Sequence, residues 1–200
     1  MCAEPGSPGS PGSHALRTGL HRFNGVPDDA ARQALLNCCS SSRWASAVAA
    51  GRPFPSFAEL QSESDTAVAA LTEADLRAAL AGHPRIGGQP TSATAAPAGP
   101  NGAVGPNGAV GWSAQEQSGV AAGGEATLRA LADRNADYER HFGHIYLACA
   151  TGRSAPELLR FLTERLGNDR EQEWRVVAAE LAKINRIRLR KLLTGLAGWA

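Results

Sequence analysis

Trp174-Arg175-Val176-Val177-Ala178-Ala179-Glu180-Leu181-Ala182-Lys183-Ile184-Asn185-Arg186-Ile187-Arg188 is the stretch that decides the fold. Trp174, Val177, Leu181 and Ile184 recur at spacings of three and four, which places them on one face of an α-helix. Asn168 or Asp169 can cap its start, so the spacing predicts a helix from Arg170 to about Leu196. A stripe of that length needs other apolar faces to cover it. Working outward, Ser154 and Glu157 form a capping box for a helix ending at Gly167, and Glu125 to Phe142 reads as another. Gly123-Gly124 breaks that helix from a segment over Ser113 to Ala122. Thr72 and Asp75 make a second capping box, for Glu73 to Ala81, and helices are expected over Phe57–Ala70, Arg43–Ala50 and from Asp28 or Asp29. Only Ile145–Ala150 is strand-like, and one short strand makes no sheet. The class is all-α, a compact single-domain helical bundle.

Two stretches lack this patterning. Residues 1–13 alternate Pro, Gly and Ser, and a disordered tail is expected over 1–15, with the helical domain over 16–200. Gly87–Gly111 has seven glycines, four prolines and no charge, and ends in two copies of PNGAVG. Two copies are too few for a solenoid, so 87–111 reads as a flexible loop insertion.

Composition narrows the function. The chain of 200 residues has 20 basic and 19 acidic side chains, a formal net charge of +1. That balance leaves no basic footprint for nucleic acid or an anionic membrane, and no apolar run approaches a membrane span. Cys2, Cys38, Cys39 and Cys149 form no CxxC pair; reduced thiols in a cytoplasmic setting are expected. With no signal peptide and no peroxisomal tripeptide at the C-terminus, the expected location is cytoplasmic. No metal-ligand set, GxGxxG or P-loop is present, so no metal or other cofactor is expected.

Three positions break the helical pattern. In Gly82-His83-Pro84-Arg85-Ile86-Gly87-Gly88, proline bars His83 from the α region, and the helix must stop there. His83 is then either an exposed helix stop or an imidazole placed for proton transfer. In Ser113-Ala114-Gln115-Glu116-Gln117, Ser113 and Glu116 have capping-box spacing. Alternatively, the helix start receives an anion, with Glu116 and Gln117 as hydrogen-bonding side chains. Arg188 continues the apolar stripe, about 20° from Leu181 and about 40° from Ile184. A core-facing arginine needs an anion: a salt bridge, or a ligand carboxylate or ureido oxygen. Arg186 and Arg190 point elsewhere and read as solvated. Asn135 reads as a satisfied packing residue, Arg153 as water-facing, and His144 as a structural histidine or, alternatively, a group behind a site.

These elements, together with Phe23-Asn24, Leu35-Leu36-Asn37-Cys38-Cys39, Arg43-Trp44, Arg52-Pro53-Phe54, Phe142-Gly143 and Ala150-Thr151-Gly152-Arg153-Ser154, follow one another in order. Over roughly residues 20–193 the chain resembles the 2-oxo-4-hydroxy-4-carboxy-5-ureidoimidazoline (OHCU) decarboxylase family. The resemblance implies a helical enzyme, often a homodimer, that works without cofactor on the route from urate to (S)-allantoin. It implies His83 and Glu116 as catalytic, with Pro84, Ser113, Gln117 and Arg188 binding substrate. His83 is expected to act on the substrate hydroxyl and Glu116 to assist or to protonate carbon. Uricase and hydroxyisourate hydrolase are the implied functional neighbours. The long 87–111 insertion departs from the family pattern. The competing readings are a non-catalytic helical scaffold for ureide-pathway enzymes and a decarboxylase of a related ureido acid.

Overall fold

The structure is a computed structural model, and residues 11–87, 112, 115–121 and 123–198 are described. Ser113, residues 1–10 and the PNGAVG copies lie outside the described residues. Among the described residues, the helices are α1 (Pro11–Gly25), α2 (Asp28–Cys38), α3 (Ser42–Ala50), α4 (Phe57–Ala69) and α5 (Glu73–Leu80). They continue as α6 (Ser118–Ala121), α7 (Glu125–Phe142), α8 (Ala155–Arg165) and α9 (Arg170–Ala197). No strand is present among the described residues, so the all-α expectation holds.

The caps account for the helix starts. Asp169 accepts from the Gln172 amide at 2.8 Å at the head of α9. Both expected capping boxes are formed, Thr72 with Asp75 and Ser154 with Glu157. Each satisfies amides that the first helical turn leaves without partners. Val177, Leu181 and Ile184 are buried along α9, and burying such side chains contributes about 1.5–3 kcal/mol each. Helices α1, α2, α4 and α5 pack on α9, while α7 and α8 pair with each other.

Helix α1 corrects the expected tail: Pro11–Ala15 already belong to a helix. The glycine-rich, weakly apolar run hid it, because its stability comes from packing rather than propensity. Leu20 and Phe23 are buried, and Gly19 lies against α9 so closely that a Cβ there would sit 1.9 Å from the Leu193 carbonyl oxygen. In the last turn of α1, Asn24 exchanges two hydrogen bonds with the Phe54 backbone, at 2.8 and 3.0 Å. Arg52 reaches the carbonyls of Phe23 and Val26 at 2.7 and 2.8 Å. The family-like pairs Phe23-Asn24 and Arg52-Pro53-Phe54 thus form one clasp.

The segment 145–150 is extended without a sheet, and it divides the interior. Leu147 and Cys149 pack into the cluster built on α1–α5 and α9. Tyr146, Ala148 and Ala150 pack into the cluster of α7 and α8. The period of two explains the strand-like sequence: alternate side chains enter two different cores. Helix side chains take the place of a neighbouring strand. Glu180 of α9 accepts from the Cys149 amide at 2.8 Å, and Arg165 of α8 donates to the Leu147 carbonyl at 2.6 Å. Arg165 is itself held by the buried Glu173, which also receives Tyr138 and Asn168.

Candidate active site

The end of α5, the run before α6, the extended segment and the middle of α9 converge on one small pocket. His83, Pro84, Glu116, Gln117 and Arg188 all line it, with the wall supplied by Tyr146–Ala148, Ala150 and Thr151. The space it encloses is about 20 Å³, roughly one water.

His83 caps the turn after α5, its amide donating to the Leu80 carbonyl at 2.9 Å. Its Nδ1 lies 3.0 Å from the Ala79 carbonyl oxygen. A carbonyl only accepts, so Nδ1 carries the hydrogen and Nε2 keeps a lone pair. Nε2 is buried and has no hydrogen-bond partner among the described residues. Burial, and then the nearby Arg188 charge, push the imidazole down to about 3 against the opposing bond to Ala79. The residue as a whole is half-buried, but Nε2 itself is buried. His83 is thus a neutral, unspent base.

Arg188 and Glu116 meet inside the pocket. Arg188 Nη2 and Nε reach the two carboxylate oxygens at 3.0 and 3.3 Å, and Nη1 donates to the Cys38 carbonyl at 3.0 Å. Arg188 is 2% exposed and Glu116 9%. Arg188 thus has the acid that a core-facing arginine needs, and that acid is another of the three pattern-breaking positions. Lys191, one turn along α9, adds a second cation 3.3 Å from Glu116 Oε1. Both carboxylate oxygens of Glu116 thus point to α9.

The surrounding turns are fixed by hydrogen bonds. Gln117 Oε1 accepts from the Gly87 amide at 3.1 Å, and Gly87 has a φ of 72°, in the left-handed region that favours glycine. Gly87, the first residue of the expected loop insertion, is therefore part of the site. Asn135 is buried and donates to the Ile86 carbonyl at 3.0 Å, and Arg85 forks onto Glu139. Asn135 thus supports the His-Pro turn from behind without lining the pocket.

A family model for OHCU decarboxylase matches residues 24–190, most of the chain. The chain belongs to the OHCU decarboxylase family. It is 30% identical over 152 residues to the 2-oxo-4-hydroxy-4-carboxy-5-ureidoimidazoline decarboxylase of Amia calva, covering 74% of this chain and 79% of that protein. It is 28% identical over 157 residues to the uric acid degradation bifunctional protein TTL of Arabidopsis thaliana. That match covers 78% of this chain but only 45% of the plant protein. A crystal structure of OHCU decarboxylase in the presence of (S)-allantoin superimposes with a TM-score of 0.64 at 26% identity, covering 84% of this chain and 99% of that one. An (S)-allantoin synthase structure matches in fold, with a TM-score of 0.61 at 15% identity, covering 86% of this chain and 53% of that one. The chain is a decarboxylase, a carboxy-lyase.

One residue of this decarboxylase sits differently from its sequence reading. Arg153 does not face water: its guanidinium lies 4.8 Å over the Phe161 ring, with Nη1 3.6 Å from Glu180. His144 stacks on Trp174 at 4.2 Å and does not line the pocket. Lys191 was missed, although a residue three beyond Arg188 on a helix shares its face. Cys38, Cys39 and Cys149 are buried and free. Among the described residues no group of three or more His, Cys, Asp or Glu side chains is placed to hold a metal ion. No helix there is long and apolar enough to cross a membrane.

Proposed function

We propose that this decarboxylase converts OHCU to (S)-allantoin in urate degradation, with His83 and Glu116 as catalytic groups. The observation that carries the reading is His83 Nε2, unpartnered beside the Glu116–Arg188 pair in one pocket.

In OHCU one ring carbon bears both the carboxylate and a hydroxyl, and its neighbour is part of a C=N bond. When the bond to CO2 breaks, its electron pair forms a double bond between the two ring carbons, and the C=N pair moves onto nitrogen. The nitrogen and the neighbouring carbon each take up a proton, while the hydroxyl gives one up and becomes the carbonyl of allantoin. The balance is one proton from water. Because the substrate carries its own electron sink, the protein's task is orientation and proton handling.

His83 Nε2 suits the hydroxyl proton, since it enters the reaction neutral with its lone pair unused. Glu116 suits the assisting role better than delivery of a proton to carbon, because its two oxygens already accept from two cations. Arg188, Gln117, Pro84 and Ser113 are assigned to the substrate's carboxylate, ureido and ring polar groups. One enzyme-fixed face for carbon protonation yields one enantiomer. A substrate panel of related ureido acids separates strict from broad choice: OHCU alone should turn over at full rate.

The proposal extends to a cytoplasmic homodimer coupled functionally to uricase and hydroxyisourate hydrolase. Light scattering of the purified chain tests the dimer, and cell fractionation tests the location.

A further inference from the structure

The charges around the pocket do not cancel as a pair. Glu116 carries one negative charge and Arg188 one positive, in a buried fork. His83 contributes none, since burial keeps its ring neutral. The remaining charge is Lys191, whose ammonium lies 3.3 Å from Glu116 Oε1 and whose side chain is 24% exposed. Glu116 is its ion-pair partner among the described residues. Glu180, the neighbouring buried carboxylate on α9, has cations of its own: Lys183 at 2.5 Å and Arg153 at 3.6 Å. It takes nothing from Lys191.

An anionic ligand entering this pocket meets the Glu116 carboxylate as well as the Arg188 guanidinium. With Arg188 alone the two would nearly offset each other at a distance. A second cation on Glu116 leaves the site with a net positive charge. The low-dielectric wall of Ile184, Leu147 and Ala148 makes that charge count for more than it would in water. Lys191 points at Glu116 and does not line the pocket, so it acts on the ligand through the field and through the posture of Glu116.

We infer that Lys191 is the positioning residue that sets the charge of the pocket and lets a carboxylate-bearing ureido compound bind beside Glu116. This deepens the proposed function and rests on it. Lys191 discriminates anionic substrate from neutral product of the same shape, which favours release of allantoin once CO2 has gone.

The test is calorimetric titration of the full chain with two probes: (S)-allantoin, which is neutral, and allantoate, a ureido acid with a free carboxylate. Lys191→Met should weaken allantoate about tenfold and leave allantoin within about twofold. Lys191→Arg should restore allantoate binding. In turnover of OHCU, Lys191→Met should raise KM with kcat little changed. Equal weakening of both probes would make Lys191 a merely structural residue and overturn the inference, as would an unchanged allantoate affinity. If the wild-type chain binds neither probe, the functional reading fails and the inference falls with it. If wild type binds both probes and Lys191→Met weakens them equally or not at all, the inference alone fails.

Discussion

Glu116 and Arg188, 72 residues apart in sequence, form one buried ion pair in which two guanidinium nitrogens meet two carboxylate oxygens at 3.0 and 3.3 Å. Removing one partner of such a pair strands the other charge and costs about 3–5 kcal/mol. Arg188→Met should fall at the lower end of that range, because Lys191 still holds Glu116. Urea denaturation measures it, and a loss below about 1 kcal/mol would contradict a buried pair. Glu116→Gln keeps the shape and should cost less stability, yet lower kcat about 100-fold or more if the carboxylate assists proton transfer.

His83 gives the pH dependence a sign. Its folded pKa is depressed to about 3, below the value near 6.5 expected for an unfolded chain. Between those values the unfolded state binds a proton that the folded state refuses. The contribution of neutral His83 is therefore full above about pH 6.5 and is lost as pH falls toward 3. Unfolding free energies between pH 7.5 and 4 should drop more steeply for wild type than for His83→Asn. Parallel slopes would show that the imidazole is not protected. For the same reason, kcat/KM should show no histidine limb between pH 6 and 7.

Gly19 is a packing residue. A Cβ there would lie 1.9 Å from the Leu193 carbonyl oxygen and 2.6 Å from its carbon, both backbone atoms that cannot turn aside. Gly19→Ala must push α1 off α9, and overpacking of this kind costs about 1–3 kcal/mol. Thermal unfolding should show a clear drop in Tm. An unchanged Tm would mean that the two helices are not in contact.

Glu180 tests whether the pocket wall is held from behind. Its carboxylate accepts from the Cys149 amide at 2.8 Å while 2% exposed. Glu180→Ala leaves that buried amide without a partner, a cost of about 1–3 kcal/mol. Glu180→Gln retains an acceptor and should recover most of it. If the two variants unfold at the same denaturant concentration, the contact carries no weight.

The regular helices were legible because each carried its own local signal. Capping boxes at Thr72 and Ser154 and the α9 stripe need only residues three or four apart. Helix α1 was not legible, since Gly19 matters only through Leu193, far away in the chain. His83, Glu116 and Arg188 stood out as departures from pattern, but that Glu116 and Arg188 face each other is a tertiary fact. Arg153 reads as an ordinary surface charge in the sequence, and Lys191 carries no signal there. What makes them otherwise is the pair of buried carboxylates, Glu116 and Glu180, that they approach.

The central claim is that His83 handles a proton while OHCU loses CO2. It is tested most directly by generating OHCU with uricase and hydroxyisourate hydrolase, adding the protein, and following OHCU decay and optical rotation together. Wild type should deliver dextrorotatory allantoin quickly. Folded His83→Asn should return the reaction close to the slow, racemic background, a loss equivalent to about 2–4 kcal/mol of barrier. Wild-type decay and rotation from His83→Asn would contradict the claim, as would a wild-type protein that changes neither.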